Sequence, residues 1–136
     1  MPPTQCSKNI KLSQRIILAL DVETGEEARS WVEKLEDQIK FYKIGLQLFL
    51  AEGFSIVDWI VQRGHNVMLD LKFFDVPQTV GLAVKQLNHR GIAYATIHGN
   101  DAIMKAAATA AQDVKILAVT VLTSFDEGDL RDLGLQ

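Results

Sequence analysis

Five short apolar runs recur along this chain at a nearly regular interval, and a segment of helical periodicity follows each one. The runs cover residues 15–22, 41–45, 66–71, 93–98 and 115–122. They are almost continuously apolar instead of alternating, as strands of a parallel sheet buried on both faces should be. Between them, Thr24 and Glu27 have the spacing of a capping box, and Ala28, Trp31, Val32 and Leu35 form an apolar helical stripe behind it. Residues 47–63 predict a second helical region broken near Gly53. Pro77 suits the first turn of a third helix, which carries Val80, Val84 and Leu87 and stops at Gly91. The alanine-rich run 102–111 predicts a fourth helix, and Ser124 with Glu127 repeats the capping-box spacing for a fifth. Strict alternation of this kind means an α/β fold with a parallel sheet, at roughly 25–30 residues per βα unit.

The alternation alone fits two architectures. Five strands can complete a doubly wound open sheet, whereas a (β/α)8 barrel normally takes about 250 residues. At 136 residues, pattern alone favours the open sheet.

Composition narrows the function. The chain is 48% hydrophobic with a formal net charge of −3, which describes one soluble globular unit. No lysine- or arginine-rich run is present, which argues against a nucleic-acid partner. No stretch reaches the roughly 20 apolar residues of a membrane span, and the first residues lack the apolar core of a signal peptide. Cys6 is the only cysteine, which points to a reducing, cytoplasmic setting and suggests neither a thiol nucleophile nor a zinc site. Residues 1–13 are expected to form a flexible leader and 14–136 the folded domain. No glycine-rich dinucleotide or Walker pattern occurs.

Polar residues gather in and just after the strands: Asp21, Lys43, Asp70, Lys72 and Asp75, then His98, Thr120, Thr123 and Ser124. Active sites of parallel α/β folds form at the carboxyl ends of strands. Each residue also has a plain reading. Asp21 alone fits a turn or helix cap, Lys43 can snorkel to the surface, and His98 can be a satisfied structural histidine. Thr123 and Ser124 fit a helix N-terminus, with Ser124 as its cap. His65 and His89 lie beside glycines and are expected to be solvated, and Trp31 and Trp59 to serve packing. The group Asp70, Lys72 and Asp75 resists such explanations, because charges inside apolar strands are costly to bury unless paired. Asp70 and Lys72 lie two apart, so an extended backbone points both to one face. Asp75 lies beyond the strand, where Pro77 keeps Val76 from helical geometry.

The segment Asp70-Leu-Lys-Phe-Phe-Asp-Val-Pro77 resembles the Asp-x-Lys-x-x-Asp-[Ile/Val]-Pro motif of orotidine 5′-monophosphate decarboxylases. Leu18-Ala-Leu-Asp-Val22, Tyr42-Lys-Ile-Gly-Leu-Gln-Leu-Phe49 and Val119-Thr-Val-Leu-Thr-Ser124 are similar to the family's other N-terminal blocks, in order and spacing. The resemblance implies a (β/α)8 barrel, overriding the open sheet, and a homodimeric carboxy-lyase of pyrimidine biosynthesis that uses no metal or other cofactor. It implies that Asp21 binds the ribose hydroxyls and that Lys43 links ribose to the charged network. Asp70 would then lie beside the substrate carboxylate, and Lys72 would protonate pyrimidine C6. Asp75 would act across the dimer interface, helped by Thr79, while Thr123 and Ser124 would fall near the pyrimidine. Related barrels that decarboxylate or condense sugar phosphates with magnesium tend to carry a carboxylate at the second-strand position. Lys43 stands there in this chain, which argues against that alternative.

A full family member continues through three more strands, which carry the phosphate-gripping loop. The chain is therefore expected to be a truncated barrel of five βα units, inactive alone, that persists by dimerising or by pairing its open edges. The other reading is a non-catalytic interaction remnant.

Overall fold

The computed structural model describes residues 9–134. Cys6 and part of the expected leader lie outside these residues. Residues 12–14 form one 3-10 turn, and the Ser13 carbonyl accepts the Lys40 N–H at 3.0 Å, which ties this segment to the start of the second strand.

The elements run β1 (Leu18–Ala19), α1 (Gly25–Leu35), β2 (Phe41–Gly45), α2 (Leu46–Glu52), α3 (Phe54–Gln62), β3 (Asn66–Phe73), α4 (Pro77–Lys85), β4 (Ile92–His98), α5 (Asp101–Ala110), β5 (Lys115–Val119) and α6 (Glu127–Asp132). All neighbouring strands pair in parallel, in the order β1-β2-β3-β4-β5. This order decides between the two architectures. A doubly wound sheet reverses its strand order at a switch point, whereas a barrel adds each strand beside the last. The sheet is an arc of the (β/α)8 barrel type, and the open-sheet preference drawn from pattern alone is corrected.

Side-chain alternation gives the arc two unlike faces. Tyr42, Ile44, Val67, Leu69, Ala95 and Ile97 are all at most 1% exposed. They pack against the apolar stripes of the helices, including Val32, Ile56, Ile60, Val80, Val84 and Ala107. The opposite phase carries Phe41, Lys43, Asp70, Tyr94, Thr96 and His98. On this side Phe41 and Thr96 are buried, but the expectation of burial on both faces fails most clearly in β5, where Lys115 and Leu117 are exposed.

Local signals set most boundaries. Thr24 Oγ1 accepts the Glu27 N–H at the start of α1. Gly53, with φ +59°, separates α2 from α3 at the expected break, in a conformation that costs glycine little. Pro77 is in the first turn of α4, and Val76 before it is extended (φ −56°, ψ 144°). Three expectations are corrected. β1 shrinks to two residues, with Ile16 and Ile17 exposed ahead of it. α4 ends at Lys85, and a run of turns leads from there to Gly91. The cap of α6 is Asp126, not Ser124: its carboxylate accepts the N–H groups of Gly128 and Asp129, and Asp129 reciprocates on the Asp126 N–H. Asp at N-cap and Asp at N3 close the same reciprocal pair that serine and glutamate would.

Candidate active site

The carboxyl ends of β1, β2 and β3 bring four charged side chains into one line. Parallel pairing sets β1 against β2, with Ala19 opposite Lys43, and β2 against β3, with Gly45 opposite Asp70. The Leu20 N–H bonds to the Lys43 carbonyl at 2.9 Å, which continues the ladder as far as Asp21. Lys43 Nζ then stands 3.3 Å from Asp21 Oδ1 and 3.5 Å from Asp70 Oδ2, and Lys72 Nζ donates to Asp70 Oδ1 at 3.0 Å. The result is an alternating chain, carboxylate–ammonium–carboxylate–ammonium, with zero formal charge. Its middle members are the most buried: the side chains of Asp70 and Lys43 are 12% and 23% exposed, against 38% for Lys72 and 68% for Asp21.

Asp70 and Lys72 meet for a reason the sequence did not supply. The β3–β4 register jumps from Leu69 opposite Ala95 to Phe73 opposite Ile97, so residues 70–72 face the single Thr96. Lys72 takes φ +49°, uncommon for a residue with a Cβ. The two side chains are thus brought together by a bulge, not by plain extended alternation. Thr96, which sequence reasoning missed, fills the gap. Its hydroxyl accepts the Lys72 N–H at 2.9 Å and donates to Asp70 Oδ1 at 2.8 Å. The available signal was its position two residues before His98, on the same face of an otherwise apolar strand.

Burial pushes the Asp70 carboxyl up, but hydrogen bonds from Lys72 and Thr96, with the charges of Lys72 and Lys43, outweigh it and hold the group below its ordinary value. A cleft of about 360 Å³ opens over Asp21, Lys43, Asp70 and Lys72, bordered by Gly45 and Leu46. Among the described residues, no three His, Cys, Asp or Glu side chains converge as a metal centre would require.

The remaining expected site residues lie apart from this network. Asp75 is exposed in the β3–α4 loop, and its carboxylate accepts the Val76 N–H. Thr79 is exposed on α4, and Thr123 and Ser124 are exposed after β5. His98 ends β4 with its ring 4.6 Å from that of Phe74. His89 is exposed, as expected, but His65 is a correction. It is 5% exposed, its ring lies over Tyr42, and its Nε2–H donates to Glu36 at 3.1 Å.

The family model of the orotidine 5′-phosphate decarboxylase / HUMPS family matches residues 14–136. The orotidine 5′-phosphate decarboxylase of Methylococcus capsulatus is 54% identical over 137 residues, covering 100% of this chain and 57% of the relative. The crystal structure of the decarboxylase from Lactobacillus acidophilus superposes with a TM-score of 0.79 at 33% identity, over 88% of this chain and 58% of that one. The enzyme from Methanocaldococcus jannaschii, complexed with the inhibitor BMP, superposes with a TM-score of 0.66 at 27% identity, over 74% of this chain and 50% of that one. The chain thus spans about half the length of the relatives it matches. No helix among the described residues is long and apolar enough to cross a membrane.

Proposed function

The chain belongs to the orotidine 5′-phosphate decarboxylase / HUMPS family, and on that premise we propose that it carries the charged part of a site that decarboxylates orotidine 5′-monophosphate to uridine 5′-monophosphate. The observation that carries the reading is the alternating chain ending in Lys72, whose ammonium has one carboxylate partner and faces the cleft.

The chemistry follows from charge. When the bond from C6 to the carboxylate breaks, CO₂ leaves and the electron pair stays on C6 in an orbital of the ring plane, outside the π-system. A fixed ammonium beside C6 lowers the energy of that carbanion as it forms. Lys72 then transfers an Nζ proton to C6, completing uridine 5′-monophosphate, and regains a proton from water. Asp70 fixes Lys72 and stands where the departing carboxylate is crowded. Asp21, the most exposed member, takes the ribose hydroxyls, and Lys43 ties it to Asp70. Two ammonium groups around Asp70 repel a divalent cation, which supports a metal-free reaction.

Asp75 belongs to the site of a second copy in this reading. It is exposed, apart from the network of its own chain, and flanked by exposed Phe74 and Val76, as an interface loop would be. Thr79 supports it there, and the exposed Thr123 and Ser124, after β5, contact the pyrimidine in this reading. Barrel phosphate sites generally lie after strands seven and eight. The phosphate grip is therefore assigned outside the five described strands, and turnover by this chain alone is expected to be weak or nil.

The test follows the absorbance of orotidine 5′-monophosphate with this chain and with Lys72→Ala, alongside NMR of Asp70 and Lys72 as the nucleotide is added. Turnover that Lys72→Ala abolishes, or nucleotide-dependent shifts confined to the network, supports the reading. Turnover indifferent to Lys72, or neither turnover nor shifts, overturns it.

A further inference from the structure

We propose that Thr96 is the positioning residue that sets Lys72 against Asp70, an inference that rests on the decarboxylase reading of this site and names a participant outside the charged network. Where β3 bulges away from β4, the Lys72 N–H loses its place in the ladder, and a buried N–H left without a partner is costly. The Thr96 hydroxyl accepts it at 2.9 Å. Lys72 also stands at φ +49°, a conformation that persists in a side-chain-bearing residue only where neighbours hold it.

The same hydroxyl donates to Asp70 Oδ1 at 2.8 Å, the oxygen that accepts from Lys72 Nζ at 3.0 Å. A hydroxyl has one proton to give, and here it goes to the carboxylate while a lone pair takes the amide. Thr96 thereby fixes Lys72 at both ends, the backbone directly and the ammonium through Asp70. The residue is 3% exposed, so water does not replace it. Its proton and one of its lone pairs are both used on β3, across the strand gap.

The groups facing Asp70 are Lys43 from β2, Lys72 from β3 and Thr96 from β4, with Asp21 behind Lys43. Removing the hydroxyl while keeping its shape isolates its share. The experiment is NMR on the whole 136-residue chain, following the Asp70 carboxyl carbon against pH and the hydrogen exchange of the Lys72 amide. Thr96→Val is expected to move the Asp70 midpoint upward, because the ionised form loses a donor, and to speed Lys72 exchange by about tenfold or more. Thr96→Ser, which keeps the hydroxyl, is expected to restore both. Should Thr96→Val disturb the fold, Thr96→Ala is read in its place. An unmoved Asp70 midpoint with unmoved Lys72 exchange overturns the proposal. So does a change that Thr96→Ser fails to reverse, since that assigns the effect to the methyl group. Decarboxylation by the same variants is read separately: an inactive unsubstituted chain bears on the decarboxylase reading, while the NMR signals judge Thr96 without turnover.

Discussion

Two charged clusters occupy opposite ends of the strands, and they use their polar groups differently. At the amino end, Arg63 grips Glu36 with two hydrogen bonds, of 2.9 Å and 2.7 Å, and His65 adds a third at 3.1 Å. Both Glu36 oxygens are taken, and Arg63 also lies over the Trp59 ring. At the carboxyl end, the chain from Asp21 to Lys72 leaves its two terminal members facing a cleft. The first cluster is closed and the second open. In barrels, amino-end features serve stability and carboxyl-end features serve chemistry. Charged side chains left facing a cleft are the physical mark that separates them, since the closed cluster keeps an unbonded atom too, the buried His65 Nδ1, and substitutions can break or sharpen the contrast.

The largest effect is expected at the open end. If Lys72 acts as proposed, Lys72→Ala should lower any decarboxylation by about a thousandfold or more, since both charge stabilisation and the proton donor would be lost. Its thermal midpoint should move by no more than about 4 °C, because Lys43 and Thr96 still serve Asp70. Calorimetry beside the absorbance assay checks both. A collapse of the fold would place this cluster with the closed one.

The closed end should answer the other way. His65→Ala removes a buried ring that packs on Tyr42 and donates to Glu36, and should cost about 2–3 kcal/mol of stability in a urea titration. Nucleotide-dependent signals at Lys72 should be unaffected.

These assignments also mark how far the sequence was readable. The order of elements, the Gly53 break and the Pro77 start were legible because each rests on local chemistry. So was the gathering of Asp21, Lys43 and Asp70, because parallel in-register strands carry like ends together, whereas Lys72 joins them through the β3 bulge. His65 was misjudged because a neighbouring glycine suggests a loop, while its hydrogen-bond partner, Glu36, lies 29 residues away. Thr96 was missed because its partners lie across a strand, in a bulge that no pattern of period two announces.

A smaller effect concerns pH. Hydrogen bonds from Arg63, then His65, hold the Glu36 carboxyl down to about 2 from 4.5, against the upward push of burial. The folded value is depressed, so the contribution to stability is present above pH 4.5 and fades as pH falls toward 2. Glu36→Gln should therefore be less stable than the unsubstituted chain at pH 6, and the two should converge near pH 2. Parallel curves of midpoint against pH would show that Glu36 does not carry the acid response.

The smallest contrast lies within the carboxyl end, after β5. Asp126 spends its carboxylate on two backbone N–H groups of α6, whereas Ser124, two residues earlier, makes no such bond. If spent valence marks structure, Asp126→Ala should cost about 1 kcal/mol and Ser124→Ala should stay within about 0.5 kcal/mol of zero. Ser124→Ala should instead weaken the response of the network to added nucleotide, if the exposed hydroxyl is held for the pyrimidine. A stability loss at Ser124 equal to that at Asp126 would return Ser124 to the role of a helix cap. The distinction between closed and open groups would then fail at the one place where both kinds sit side by side.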